Sequence, residues 1–462
     1  MNSPRGIILI QSDQHRYDCM AHTGHPLVKT PNLDRLAKEG LSFNNAFCTS
    51  PMCVPTRTSQ LCGQWTQQHG TLANFDCESP KFLSREKIVF PYSLKQKNIS
   101  LDFVGRWHVH PDLLPTDFGF DSFVSYRDYH NYRKKIGVEP YPIENGFFGN
   151  IDPYISPEQS RPHWLTDLFI EKLRNRVNNN KPFYINLDLH EPHLPNIVPE
   201  PYNSMYPPEK IKPWGNFSDE LENKPFIQKQ QLRTWEVENW TWNDWAPIIG
   251  RYLGDISLLD KQIGRIFDEL DSLGVADDIL IIYTADHGDM CGSHRMVDKH
   301  FVMYDEVVHV PLIMRWPKVI KPNSVHSGFV SNAIDLAATF CDVMNAEIPK
   351  SFSGISLKPV IFGENYPARN DIFCCYNGNQ FGQYSQRMVR NNKWKYVWNA
   401  TSIDELYDLE NDKFELNNLA QNLNYKKILA EMRLRLWEWM KQTDDRLQNF
   451  WIENQLLKGN KI

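Results

Sequence analysis

Four runs of apolar, largely β-branched residues, each ending in a polar cluster, constrain this chain most. Gly6-Ile7-Ile8-Leu9-Ile10-Gln11 leads into Ser12-Asp13-Gln14-His15, and Leu101-Asp102-Phe103-Val104 into Gly105-Arg106-Trp107-His108. Residues 183–189 lead into His190-Glu191-Pro192-His193, and residues 278–285 into Asp286-His287-Gly288. Short apolar runs without alternation suit strands covered on both faces, as in a parallel sheet. Such a sheet needs helices on both sides, and the carboxyl ends of its strands share one edge, where open α/β sheets bind ligands. The pattern therefore predicts an α/β fold with a large mixed, mainly parallel sheet. Residues 252–273 supply a helix: Leu253, Ile256, Leu259, Ile263, Phe267 and Leu270 form one stripe, closed by Gly274. Weaker helical patterns cover 167–177, 332–345 and 428–440.

At 462 residues the chain is long for one core. After about residue 365 the texture changes to short alternating strands, Arg387-Met388-Val389-Arg390 and Trp394-Lys395-Tyr396-Val397-Trp398. This gives a catalytic domain over 1–365 and a smaller α+β domain over 366–462. Residues 121–165 read as a loop-rich insertion at the substrate end. The five tryptophans within 206–246 read first as packing residues, with stacking on a sugar face as the alternative. A net charge of −6 offers nothing to nucleic acid or an anionic membrane, so an anionic substrate needs a local cationic cluster. No apolar run approaches the ~18 residues of a membrane span. Nine cysteines, an odd number, show no disulfide-like spacing except the adjacent Cys374-Cys375, which suggests reduced thiols. The first strand starts too early for a signal peptide, so the expected location is cytoplasmic as written, or periplasmic if a signal was removed.

The stretch Ser50-Pro51-Met52-Cys53-Val54-Pro55-Thr56-Arg57 is the chemical focus. Pro55 suits the first turn of a helix. Cys53 would then lie at the helix N-terminus, where negative charge is favoured, with Arg57 one turn on and facing the same way. Taken alone, a buried cysteine before a helix explains the pentapeptide equally well.

The wider pattern separates these readings. Cys53-x-Pro55-x-Arg57 follows Thr30-Pro31-Asn32-Leu33-Asp34-Arg35-Leu36-Ala37-Lys38-Glu39-Gly40. It precedes Gly105-Arg106-Trp107-His108, Pro192-His193, Asp286-His287-Gly288, Lys299-His300, Tyr304-Asp305-Glu306 and Val310-Pro311-Leu312. In this order the motifs resemble those of type I, formylglycine-dependent sulfatases of the alkaline phosphatase-like superfamily, over nearly the whole chain. The resemblance implies an alkaline phosphatase-like sandwich and hydrolysis of sulfate monoesters, with a sulfated carbohydrate as substrate. It implies that a formylglycine-generating enzyme oxidises Cys53 to an aldehyde, whose hydrate attacks sulfur. It assigns catalysis to Cys53, Arg57, Arg106, His108, His193 and Lys299, and substrate contacts to His190, His294 and His300. One divalent metal, Ca²⁺ in preference to Mn²⁺, would be held by Asp13, Gln14, Asp286, His287 and the matured side chain of Cys53. Three departures stand out: Gln14 where the family has Asp, Arg106 where it has Lys, and Gln60, Cys62 and Gln64 just after the cysteine motif. Two other readings share the framework: a phosphonate monoester or phosphodiester hydrolase, and a glycan-binding protein without catalysis.

Overall fold

The structure, a computed structural model, describes residues 3–75, 81–138, 146–378 and 382–461. All four apolar runs form strands. An eight-stranded sheet contains β1 (Gly6–Ser12), β2 (Leu41–Phe43), β3 (Ser100–Gly105), β4 (Ser122–Ser125), β5 (Phe183–Asp188), β6 (Ile279–Ala285), β7 (Leu312–Arg315) and β8 (Ser324–His326). Their order is β8-β2-β7-β6-β1-β5-β3-β4. The strands β6-β1-β5-β3-β4 are parallel, and β7 runs antiparallel to both neighbours. The expected mixed, mainly parallel sheet is therefore present, and the four polar clusters issue from four adjacent strands.

Alternation along β1 divides its side chains between two faces. Ile8 and Ile10 join a core formed with α1 (Pro31–Glu39), α3 (Arg161–Asn178) and α4 (Trp242–Ser272), through Leu33, Phe169 and Ile263 among others. Ile7 and Leu9 join the opposite core with Leu61 of α2 (Cys53–Cys62) and Phe340 of α5 (Ile334–Val343). That second core continues into a four-stranded antiparallel sheet of β9 (Ile372–Gly378), β10 (Tyr384–Arg390), β11 (Trp394–Asn399) and β12 (Glu405–Asp408), covered by α6 (Lys426–Gln442). Burial of each large apolar side chain here contributes about 1.5–3 kcal/mol.

The structure corrects two expectations. Helix α4 starts ten residues before Tyr252 and carries Pro247 inside it. Thr241 caps that start through Asp244, whose carboxylate accepts the Thr241 backbone N–H at 2.8 Å. The insertion over 121–165 is less loop-like than its composition suggests: β4 is an edge strand of the main sheet, residues 129–135 form a helix, and α3 begins at Arg161. Residues 139–145 of that insertion lie outside the described residues. Cys374 and Cys375 are both free buried thiols. The tryptophans of 206–246 pack on neighbouring aromatic rings: Trp245 is fully buried against Trp240 and Phe148, and Trp235 meets Phe147. Among the described residues no helix is long and apolar enough to cross a membrane.

Candidate active site

Backbone geometry at the strand ends brings the site together. After β1 the chain turns sharply, with Gln14 at φ 69°, and the Gln14 N–H donates to Asp286 Oδ1 at 3.1 Å. After β3, Gly105 adopts φ 120°, and a Cβ there would lie 1.9 Å from the Asp188 carbonyl oxygen. Only glycine permits that approach, which lets the Arg106 N–H donate to the Asp188 carbonyl at 2.9 Å and aims Arg106 inward. Helix α2 starts at Cys53 and stops at Gly63, which takes a left-handed conformation at φ 62°. Nine of its ten residues are buried, so Cys53 and Arg57 project from a fixed support.

Arg57 is the hub. Its Nε donates to Asp286 Oδ2 at 2.9 Å, one terminal nitrogen to Asp13 Oδ2 at 2.8 Å, and the other to Asp188 Oδ2 at 2.6 Å. One guanidinium thus ties together the ends of β1, β5 and β6. Asp13 Oδ2 also accepts from Arg106. The other oxygen of Asp13 faces inward, 3.8 Å from Cys53 Sγ and 3.9 Å from His287 Nε2. His287 Nδ1 donates to the Gly288 carbonyl at 2.9 Å, which leaves the Nε2 lone pair directed at Cys53 Sγ, 3.2 Å away. One ligand atom each from Asp13, Cys53, Asp286 and His287 falls within 4.8 Å of the others, all buried. Two carboxylates and an imidazole held in the correct tautomer fit a divalent cation. Burial and the Asp13 charge push the Cys53 thiol up to about 12, so its sulfur is neutral here. Burial opposes charge on Asp13, but Arg106, His193 and Arg57 hold it well below the usual carboxylate range.

The remaining cationic groups line the approach to Cys53. Lys299 Nζ donates to Gln14 Oε1 at 2.7 Å and to His193 Nε2 at 3.0 Å, and lies 3.1 Å from Asp298 Oδ1. Burial works against the Lys299 charge, yet Asp298 raises its pKa above the ordinary lysine value. His193 Nδ1 donates to the Leu194 carbonyl, so its Nε2 is the acceptor that faces Lys299. His108 Nδ1 accepts from Arg106 at 3.2 Å. Burial, reinforced by Lys299 for His193 and by Arg106 for His108, keeps both imidazoles well below the usual histidine value. The Gln14 amide is engaged with Asp289, Asp298 and Lys299, so its oxygen already accepts the lysine proton.

The three expected substrate histidines occupy different settings. His190 stacks between Tyr126 and His193, with ring centroids 5.7 and 4.8 Å away, and its buried Nδ1 has no hydrogen-bond partner. His300 touches the site indirectly, through Asp298 Oδ2 at 3.0 Å. His294 belongs to another cluster: its Nδ1 donates to Asp219 Oδ2 at 2.6 Å and its ring lies on Tyr304. Sequence reasoning assigned no role to Asp188, Asp289 or Asp298, which hold Arg57, Gln14 and Lys299 respectively. The available signal for Asp188 was a carboxylate at the end of an otherwise apolar strand, the same signal that marked Asp13 and Asp286.

A mixed, mainly parallel sheet thus carries a cysteine-headed helix and a strand-end metal-type cluster at one edge. The sulfatase family model matches residues 5–346, and the chain belongs to that family. A second model, N-sulphoglucosamine sulphohydrolase, C-terminal, matches residues 292–442. An arylsulfatase of Clostridium perfringens is 29% identical, over 99% of this chain and 98% of its own length. An N-acetylglucosamine-6-O-sulfatase of Bacteroides thetaiotaomicron is 26% identical, over 95% and 87%. Among solved structures, a phosphonate monoester hydrolase of Silicibacter pomeroyi superposes with a TM-score of 0.83 at 23% identity, covering 96% of each chain. At that identity the likeness is one of fold.

Proposed function

We propose that the protein hydrolyses sulfate monoesters on a sulfated saccharide. The observation that carries this reading is the position of Cys53: its sulfur lies among Asp13, Asp286 and His287, on a helix whose Arg57 binds three strand-end carboxylates. The N-acetylglucosamine-6-O-sulfatase among the relatives supports a saccharide as the ester alcohol. Position 53, matured to formylglycine, would carry the attacking oxygen. A divalent cation held by Asp13, Asp286 and His287, with Gln14 adjacent, would lower that oxygen's pKa; Ca²⁺ suits the carboxylates, and the imidazole also admits Mn²⁺.

The chain's own groups perform the rest. Arg106 and Lys299 would bind the nonbridging sulfate oxygens, where two fixed cations in a water-poor site stabilise developing charge. Arg57 holds position 53 and the Asp13 and Asp286 carboxylates in register. The Lys299 ammonium, which donates to His193 Nε2 at 3.0 Å, would supply through His193 the proton for the departing sugar oxygen. His108, beside Arg106, would take the proton that accompanies release of sulfate. His190 would meet the saccharide, with Tyr126 behind it. His300 would act through Asp298, and His294 from its cluster with Asp219.

Sulfate release from a panel of sulfated saccharides, with Cys53→Ala as control, tests the proposal. Release by the wild type alone supports it, and equal release by both proteins removes Cys53 from the mechanism. The phosphonate monoester hydrolase neighbour, together with the Asp13-Gln14 pair, favours a second reading as a phosphonate monoester or phosphodiester hydrolase. Relative turnover of an aryl sulfate and an aryl phosphonate monoester decides between the two.

A further inference from the structure

Arg57 has three carboxylate partners, and only two of them belong to the metal-type cluster. Asp13 and Asp286 each give one oxygen to Arg57 and leave the other near His287 Nε2, at 3.9 and 3.7 Å. Asp188 is different. It reaches Arg57 from the end of β5 through Oδ2 at 2.6 Å, and it is not among the clustered ligand groups. Among the described residues its other side-chain donor is Gln11 Nε2, at 3.2 Å on the same oxygen.

The second Asp188 oxygen, Oδ1, is buried with no hydrogen-bond partner among the described residues, as are Asn186 Nδ2 and Arg106 Nε. All three residues line a small cavity of about 20 Å³ beside Arg57, shared with Gln60, His108 and aromatic rings including Phe90 and Phe103. Asn186 and Asp188 stand two residues apart on β5 and so point to one face. The three are 3%, 2% and 7% exposed for Asn186, Asp188 and Arg106. Unmatched polar atoms around a cavity just large enough for a water are the setting in which ordered water completes the hydrogen bonding. Asp188 is committed to Arg57 in front and faces a water-sized space behind; burial raises its carboxyl to about 7, and the Arg57 guanidinium works against that rise.

We propose that Asp188 is a positioning residue that takes up the Arg57 charge from the side away from the cluster, so that Asp13 and Asp286 keep their inner oxygens and their negative charge for a divalent cation. Without Asp188, the whole guanidinium charge falls on Asp13 and Asp286 and competes with the cation. A unit charge at this range in a partly buried site changes cation affinity on the order of tenfold. The inference rests on the proposed metal-assisted reaction, but its test is independent of turnover.

Calcium and manganese affinities are measured by calorimetry on wild type and Asp188→Asn, an exchange that keeps shape and removes charge. The expected result is cation binding roughly tenfold weaker in Asp188→Asn. With the matured enzyme kcat should fall, and KM should move by less than about threefold. If Asp188→Asn does not fold, the size-matched pair Asp188→Glu and Asp188→Gln gives the same comparison: Glu should bind the ion more tightly than Gln by about the same factor. Equal affinity in the charged and uncharged proteins overturns the inference and leaves the sulfatase reading in place. A wild type that binds neither ion removes the cation from the mechanism, and this inference with it.

Discussion

One segment, residues 286–306, feeds two networks of buried charge that differ in what they leave open. In the second network the Lys395 ammonium spends its donors on the Met303 carbonyl at 3.1 Å, Asp305 Oδ1 at 2.6 Å and Glu415 Oε2 at 2.9 Å. Lys224 does the same with Tyr304, Tyr407 and the Glu415 carbonyl. These bonds fasten β11, β12 and the 412–418 turn to the segment that follows the main sheet. Each ammonium is saturated, so the network can hold but cannot bind. Around Cys53 the charges are equally buried, yet inner atoms of Asp13, Asp286 and His287 converge without a protein cation between them. The difference teaches that burial of charge is not in itself a functional mark. The mark is a convergence of ligand atoms from carboxylates, imidazole and thiol on one point.

Substitutions on either side sharpen that contrast. Cys53→Ala should abolish sulfate release, by on the order of 10³-fold or more, with the folded state intact. Intact mass spectrometry of the wild type should show a loss of about 18 Da at position 53 when the protein is made alongside a maturation enzyme. Lys299→Ala should lower kcat by about 10²–10³-fold, because a fixed cation facing developing charge is lost. Lys395→Met, in the saturated network, should do the reverse: it should cost about 3–5 kcal/mol of stability, since Asp305 and Glu415 lose their buried partner, while kcat of the folded enzyme stays near wild type. A Lys395→Met protein that is stable but inactive would break the contrast.

The smallest effect concerns Asp260, outside both networks. It accepts backbone N–H bonds from Asn32 and Leu33 at the start of α1. Burial raises its carboxyl to about 6, against the pull of those N–H groups. Its folded pKa lies above the unfolded value near 4, so the folded state binds the proton more tightly. That contribution is full below about pH 4 and is lost as pH rises through about 6. Denaturant titrations of Asp260→Asn between pH 4 and 7 should show a shallower fall in stability than wild type.

The strands were legible because unbroken apolar runs such as 6–10 and 279–283 have one physical use in a chain of this size. The start of α4 was not, because Pro247 imitates a helix boundary, and only the tertiary support of a long buried helix lets it be absorbed. Asp13, Arg106, His193 and Asp286 were legible as polar residues that follow apolar strands. Asp188 escaped because its partner lies 131 residues away in sequence, and such pairing follows from strand order alone. His294 shows the opposite limit: its motif spacing is local, but a left-handed turn at φ 50° sends its ring toward Asp219 and Tyr304.

The most direct measurement is an anomalous difference map from crystals of the matured protein grown with Mn²⁺. The account predicts one strong peak within bonding distance, about 2.0–2.6 Å, of Asp13, Asp286 and the side chain at position 53. A peak elsewhere, or ordered protein with no peak between these residues, would contradict it.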